Sequence, residues 1–278
     1  MASTAHPEPY IVHPSRKHTH TIILLHGTST TGPSFASSFL AFPIPYPTSP
    51  QSPTEEAERR EQTATPLLLP SLLPTTRFVF PTGRLAPSTI FNGELKNAWF
   101  DILSFSDRTL NEHLQAAGLR DSCRYLEELI SAESTLVGGA ENVFLGGFSQ
   151  GSAMSIFFLL SGYLNPLIGG VVGMSGWLPF RKQIHESADL GAFMAETVGG
   201  RAFSEVSKDI PVWLAQGFLD TKVIPTWAEE MRDVLLAEGR SVGYSVYEGL
   251  GHWYGEEEML DLVAFLKQHG VVVEPPIL

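Results

Sequence analysis

Cysteine is nearly absent from this chain. Cys123 is the only one in 278 residues, so no internal disulfide can form and a cysteine-built zinc site is excluded. Basic residues are scarce as well. Lysine and arginine number 18 against 30 aspartates and glutamates, a net charge of −12. A nucleic-acid surface needs a basic field, so no nucleic-acid partner is expected. No apolar run approaches the roughly 20 residues of a spanning helix. The first ten residues lack a cationic stretch followed by an apolar one, so no secretory leader is read. Together these absences predict a cytoplasmic protein without stable membrane insertion. Metal and nucleotide fingerprints are missing too. There is no H-E-x-x-H, and no His/Asp cluster has ligand spacing. The Gly-Gly pairs at 138–139, 146–147 and 169–170 fit neither G-x-G-x-x-G nor G-x-x-x-x-G-K-[ST]. No metal and no cofactor is expected.

What remains is an ordinary globular balance, 43% apolar and 17% charged, in a length that suits one large α/β domain. Residues 1–20 read as a loose N-terminal arm, and 21–278 as the domain. Thr21 to Leu25 is a buried strand that runs into His26-Gly27-Thr28. Residues 43–66 are rich in proline, serine, threonine and charge, and read as a mobile surface insertion with a charged helical turn at 55–62. Arg77 to Pro81 is the next strand, followed by a loop over 82–98. Helical spacing marks a crossover helix over 111–133. Further strands follow at 143–145, 167–174, 211–216 and 241–247, the last alternating as an exposed edge should. Helices are expected at 152–160, 226–238 and 256–269, with shorter helical pieces at 184–188 and 190–197. Strand and helix alternate throughout, which predicts a mainly parallel sheet with helices on both faces. Sites in such folds lie beyond the C-terminal strand ends.

The most informative stretch is Glu141 to Gly151, E-N-V-F-L-G-G-F-S-Q-G. It contains G-x-S-x-G as Gly147-Phe148-Ser149-Gln150-Gly151, between a short apolar run and a helix-forming run. A serine on a sharp strand-to-helix turn has strained backbone geometry and an exposed hydroxyl. The bare pattern also fits a glycine-rich turn with a capping serine. Partner residues separate the two readings. A serine hydroxyl needs a base within hydrogen-bond reach, and the base needs an acid to fix its tautomer. Asp220 and His252 follow Ser149 in the order such sites require, each just after a strand. The rival acids are Asp101 and Asp209, and Asp209 sits at the wrong end of its strand. The rival bases are His26, His185 and His269. Two of these lie in a polar segment and in the last helix, and His26 is better suited to supporting its own loop. Ser149, Asp220 and His252 are therefore the expected catalytic trio. The backbone N–H groups of Thr28 and Gln150 are the expected oxyanion donors. Trp99 and Phe100, beside Asp101, either line a pocket or pack as core with a capping aspartate. With Trp177, Leu178 and Trp253 they are the expected substrate-binding residues.

On these residues the chain resembles the acyl-protein thioesterase and carboxylesterase branch of the α/β-hydrolases. The resemblance rests on L-L-H-G at 24–27, W-F-D at 99–101, G-G-F-S-Q-G at 146–151, M-S-G-W-L-P at 174–179, Q-G-x-x-D at 216–220 and G-H at 251–252. It implies a single-domain α/β-hydrolase with Ser149 as nucleophile, Asp220 as acid and His252 as base. Its substrates would be small-molecule esters or thioesters, or acylated proteins and lipids. Lysophospholipids and short-chain esters are the competing substrate classes. A non-catalytic hydrolase-like receptor is the competing function. Compact members can pair face to face, which makes a homodimer a candidate assembly. The chain departs from the pattern at Ser152, where a second glycine is usual, and in the long segments 43–66 and 181–208.

Overall fold

The computed structural model describes residues 5–47, 66–164, 167–200 and 208–274. Strand β2 (His20–Leu25) shows how the sequence builds the core. All six residues are buried, yet they serve two different interiors because successive side chains point to opposite faces. Ile22 and Leu24 join one hydrophobic cluster, and Ile23 and Leu25 join the other. A strand covered on both sides has no polar face to show, which is why it reads as a continuous apolar run. Strand β6 (Val143–Phe148) and strand β7 (Gly170–Met174) are buried along their whole length for the same reason.

Seven strands form the main sheet, in the order β1-β3-β2-β6-β7-β8-β9. Besides those above, these are β1 (Tyr10–Val12), β3 (Thr76–Phe80), β8 (Val212–Gly217) and β9 (Val242–Tyr247). Every pairing is parallel except β1 with β3. Helix α1 (Gly32–Leu40) and the one-turn α2 (Leu69–Leu72) bury Phe35, Phe39, Leu69 and Leu72 in the cluster on one face. Helix α3 (Ala116–Val137) and helix α4 (Gln150–Leu160) cover the other. All eleven residues of α4 are buried, as expected of a helix that runs from the Ser149 turn through the middle of the domain. Two short helices, α5 (Arg181–Glu186) and α6 (Leu190–Val198), occupy the polar segment after β7. Their Ile184, Met194 and Val198 are anchored in that same core. Helix α7 (Pro225–Ala237) follows β8, and helix α8 (Glu256–Gln268) closes the chain on the first face.

Two regions differ from expectation. The N-terminal arm is not loose over its described length. Tyr10–Val12 pairs antiparallel with β3, Tyr10 opposite Phe80. The His6 ring stacks on Tyr125 at 4.1 Å and hydrogen-bonds the Thr82 carbonyl at 3.2 Å. The segment 82–98 is a hairpin rather than a loop, with strand β4 (Leu85–Pro87) pairing β5 (Leu95–Asn97). Residues 88–94 connect the two strands through one 3-10 turn, Thr89–Phe91, and the chain leaves it through Asn92 and Gly93, both at positive φ. Strands of three residues are too short to show alternation, which hid the hairpin. The charged turn at 55–62 lies outside the described residues. The base of its insertion is pinned, because Ile44 and Leu67 exchange backbone hydrogen bonds of 2.8 and 2.9 Å.

Candidate active site

Strand β6 ends at Phe148 and helix α4 begins at Gln150, so the single residue between them makes the whole turn. That residue is Ser149, with φ 57° and ψ −119°. Such a conformation is costly for any residue with a Cβ, and it persists only where the surroundings over-determine it. The Ser149 N–H donates to Met174 O on β7 at 2.9 Å. The absence of a side chain at Gly151 lets α4 lie against the end of β2. A Cβ there would stand 2.0 Å from Leu25 O. The motif glycine thus reflects the helix's contact with a neighbouring strand.

The Ser149 hydroxyl lies 3.1 Å from His252 Nε2, and His252 Nδ1 lies 2.7 Å from Asp220 Oδ2. An ionised carboxylate only accepts, so Nδ1 carries the proton and Nε2 presents its lone pair to the serine. Asp220 is 2% exposed. Burial alone would raise its carboxyl pKa. Hydrogen bonds from His252, Val223 N–H and Lys222 N–H, with the coulombic attraction of His252, outweigh burial and hold the pKa below its ordinary value. The carboxylate stays charged where it orients the imidazole.

The loop after β2 lies directly against this turn. A side chain at Gly27 would meet Ser149 Cβ at 3.3 Å. Neither the Thr28 nor the Gln150 amide finds an acceptor among the described residues. Both therefore remain available for an oxyanion. His26 is fully buried and holds the loop. Its Nε2 accepts from Gly83 N–H at 2.9 Å, which leaves the proton on Nδ1 for the Gly27 carbonyl at 2.6 Å. Burial lowers its pKa to about 4, so it is neutral through the physiological range. The Ser29 amide donates to Asn97 O, and Asn97 Nδ2 donates to Gly83 O, tying the loop to the β4–β5 hairpin.

The five residues expected to bind substrate separate into two groups. Trp253 is 50% exposed and lines the groove that opens at Ser149. Trp99, Phe100, Trp177 and Leu178 are all buried and do not line it. Trp99 and Phe100 belong to the scaffold instead. Trp99 Nε1 donates to His26 O at 2.9 Å. The Gln150 side chain clamps the segment, accepting from Trp99 N–H at 3.2 Å and donating to Phe100 O at 2.7 Å. Asp101 is a local cap, accepting from the Thr89 N–H at 2.9 Å and from its hydroxyl. Ser152, where a glycine is usual, is fully buried beside Gly173 and Gly176. A Cβ at Gly176 would lie 2.1 Å from its Oγ. The larger residue on the helix is matched by the absence of side chains opposite.

The groove encloses about 680 Å³. Its apolar walls are Phe35, Phe91, Phe105, Phe148, Trp253 and Tyr254, and Arg108 stands among them. Phe91, Phe105 and Arg108 come from the segment after β3, where spacing carries no period to read. A Phe91 or an Arg108 in an irregular loop gives no sign of where it points.

The sequence profile of the Phospholipase/Carboxylesterase family matches residues 59–270. Among characterised relatives, acyl-protein thioesterase 1 of Yarrowia lipolytica is 28% identical over 267 residues, spanning 95% of this chain and 98% of that protein. Acyl-protein thioesterase 1 of Mycosarcoma maydis is 32% identical over 205 residues, 69% of this chain and 77% of that one. Among solved structures, Zea mays acyl-protein thioesterase 2 superposes with a TM-score of 0.67 at 24% identity, covering 94% of this chain and 98% of its own. The fold is that of the α/β-hydrolases.

Proposed function

The chain belongs to the phospholipase/carboxylesterase family of α/β-hydrolases, and from that premise we propose that it is a serine hydrolase of long-chain acyl esters and thioesters, including acyl groups carried on proteins. The observation that carries the reading is the chain of hydrogen bonds from Ser149 through His252 to Asp220, placed at the mouth of an aromatic-walled groove. In the first half-reaction Ser149 Oγ attacks the acyl carbonyl carbon while its proton passes to His252 Nε2. The carbonyl oxygen becomes an oxyanion facing the Thr28 and Gln150 amides. Collapse of this intermediate breaks the bond to the alcohol or thiol, which leaves with the proton from Nε2. Water then repeats the sequence against the acyl-serine, releasing the acid and restoring Ser149.

A groove of this size is in the range that holds a chain of many carbons rather than an acetyl group alone. The thioester preference is supported by the relatives named acyl-protein thioesterase. The non-catalytic receptor reading has no support in a site whose nucleophile, base and acid are all in bonding contact. Among the described residues no helix is long and apolar enough to cross a membrane, and we place the enzyme in the cytoplasm, with acylated proteins as substrates at the membrane face.

The test is an acyl-length series from C2 to C16, in ester and thioester form, with Ser149→Ala as the blank. Efficiency should rise beyond C6, and the blank should show no turnover above background. A sharp optimum at C2 to C4 would sink the long-chain assignment.

A further inference from the structure

The groove carries a charge pattern that hydrolysis of a neutral acyl chain does not call for. The chain has 30 acidic residues against 18 basic ones. Yet no described aspartate or glutamate lines the groove at Ser149, while Arg108 and Lys222 both do. The protein's overall field repels anions, so two cations without a carboxylate are a local reversal of it.

Arg108 is 7% exposed, an unusual burial for an arginine with no carboxylate in hydrogen-bonding contact. Its guanidinium lies over the Trp177 ring at 4.5 Å, with Phe105 at 5.3 Å and Trp227 at 5.4 Å. Nη1 donates to Ser104 O at 3.1 Å and Nη2 to Lys222 O at 3.3 Å. Nε is buried and has no partner among the described residues. Five donors therefore make two bonds, both to neutral carbonyls. The carboxylates near it are committed elsewhere. Asp220 is held by His252 and by the Lys222 and Val223 amides. In a small adjoining cavity that Arg108 also lines, Asp107 accepts from the Thr109 N–H and hydroxyl, Glu112 accepts from Phe180 N–H and Gln183, and Glu230 pairs with Arg181. Burial outweighs the coulombic attraction of the nearby Asp220 and lowers the Arg108 pKa to about 10, which leaves it cationic at neutral pH. A buried cation with spare donors and no carboxylate in bonding contact, on the wall of a catalytic groove, is complementary to an anion that arrives from outside.

We infer that Arg108, with Lys222 at its rim, seats an anionic group of the substrate, a carboxylate or a phosphate, and so selects for esters that carry one. The inference rests on the ester hydrolysis proposed above and adds a charge requirement to it. Lys222 supplies the flexible second contact. It is exposed, and its own amide is bonded to Asp220, so it stands beside the acid of the triad.

The experiment compares kcat/KM within two substrate pairs. One is a phenyl hemisuccinate against the phenyl ester of a neutral acid of equal length, which puts a carboxylate on the acyl half. The other is an acyl ester of glycerol 3-phosphate against the same ester of glycerol, which puts a phosphate on the alcohol half. The wild-type chain should favour the anionic member of at least one pair by about tenfold at low salt, and the preference should shrink at about 0.5 M salt. Which pair responds tells a carboxylate on the acyl half from a phosphate on the alcohol half. Arg108→Met should lower the anionic-to-neutral ratio by about tenfold, and Arg108→Lys should keep part of it. A tether that merely holds the 104–109 loop to the acid loop would lower both members alike and leave the ratio fixed. A wild-type ratio at or below one in both pairs overturns the inference without any variant. So does an unchanged ratio in Arg108→Met. Neutral esters turned over without preference remove this inference alone. No turnover of any of the four, with Ser149 unreactive to a fluorophosphonate, removes the catalytic reading and this one with it.

Discussion

The back and the front of the site are built by different means. Behind the nucleophile, Trp99 is 2% exposed, and His26, Gln150 and Asp220 are each held by two or more hydrogen bonds. In front, Phe105 is 52% exposed and Trp253 50%, and both are positioned by ring contacts. The back must hold reacting atoms to within a fraction of an ångström, which requires directional bonds to the groups that position them. The front must accept an acyl chain, and apolar contact is adaptable and non-directional. The chemistry proposed for Ser149 thus rests on the back, and the proposed choice of acyl chain on the front.

That division is tested most severely by removing the base. His252→Ala should lower kcat by about 10⁴-fold or more, for short and long esters alike. Retained turnover, measured with a chromogenic ester, would mean that the proton relay lies elsewhere.

The next effect is on stability, and it probes the back alone. The folded pKa of His26 is depressed to about 4 from an ordinary 6.5. Above pH 6.5 both states are neutral there, and its contribution to stability is fully present. As pH falls, the unfolded chain takes up a proton that the folded chain refuses until about pH 4, and stability is lost across that window. The loss is on the order of 3 kcal/mol. A His26→Gln variant lacks this titration. Its unfolding free energy should fall less steeply between pH 6.5 and 4 than that of the wild type, read from urea melts at each pH. Parallel curves would show that the His26 ring does not resist protonation.

The smallest effect should come from the front. Trp253 stacks on Tyr254 at 4.6 Å and meets Phe148 edge-on at 6.1 Å. Trp253→Ala should lower kcat/KM for long acyl chains by about threefold to tenfold, with short chains less affected. An equal loss across the chain-length series would move Trp253 from the front to the back.

The same division explains what could be read from the chain. The back is written in short motifs whose spacing is set by covalent geometry, such as Gly147 to Gly151 around a one-residue turn. The meeting of Asp220 and His252 with Ser149 was legible because each follows a strand that periodicity locates. The loop at His26-Gly27 was legible because it follows a buried run. The front is assembled from Phe35 on a helix, Phe91 and Arg108 on irregular backbone, and Trp253 after the base. No period relates these residues, and their meeting is a product of tertiary packing. Trp99 and Phe100 show the converse failure. Their aromaticity suggested a binding surface, but the Gln150 amide and the His26 carbonyl take their polar groups and bury them. Tyr10–Val12 was missed because three residues are too few to show alternation, and the β3 edge supplies what the local sequence lacks.

The strand order has a consequence for how the molecule comes to exist. Strand β2 is synthesised early, but its inner partner is β6, with Thr21 opposite Val143. The centre of the sheet cannot zip as the chain emerges. All of the chain between the two strands must be made before the pairing that leads into the Ser149 turn has both its strands. Loop closure over that distance carries an entropic cost before any contact repays it, and non-local parallel pairing is slow for this reason. Until β6 arrives, the edge of β2 that faces away from β3, with Ile22 to Leu25 apolar, has no partner and is open to other chains. The stretch that sets the active site therefore also sets the moment at which the nascent chain is safe from aggregation.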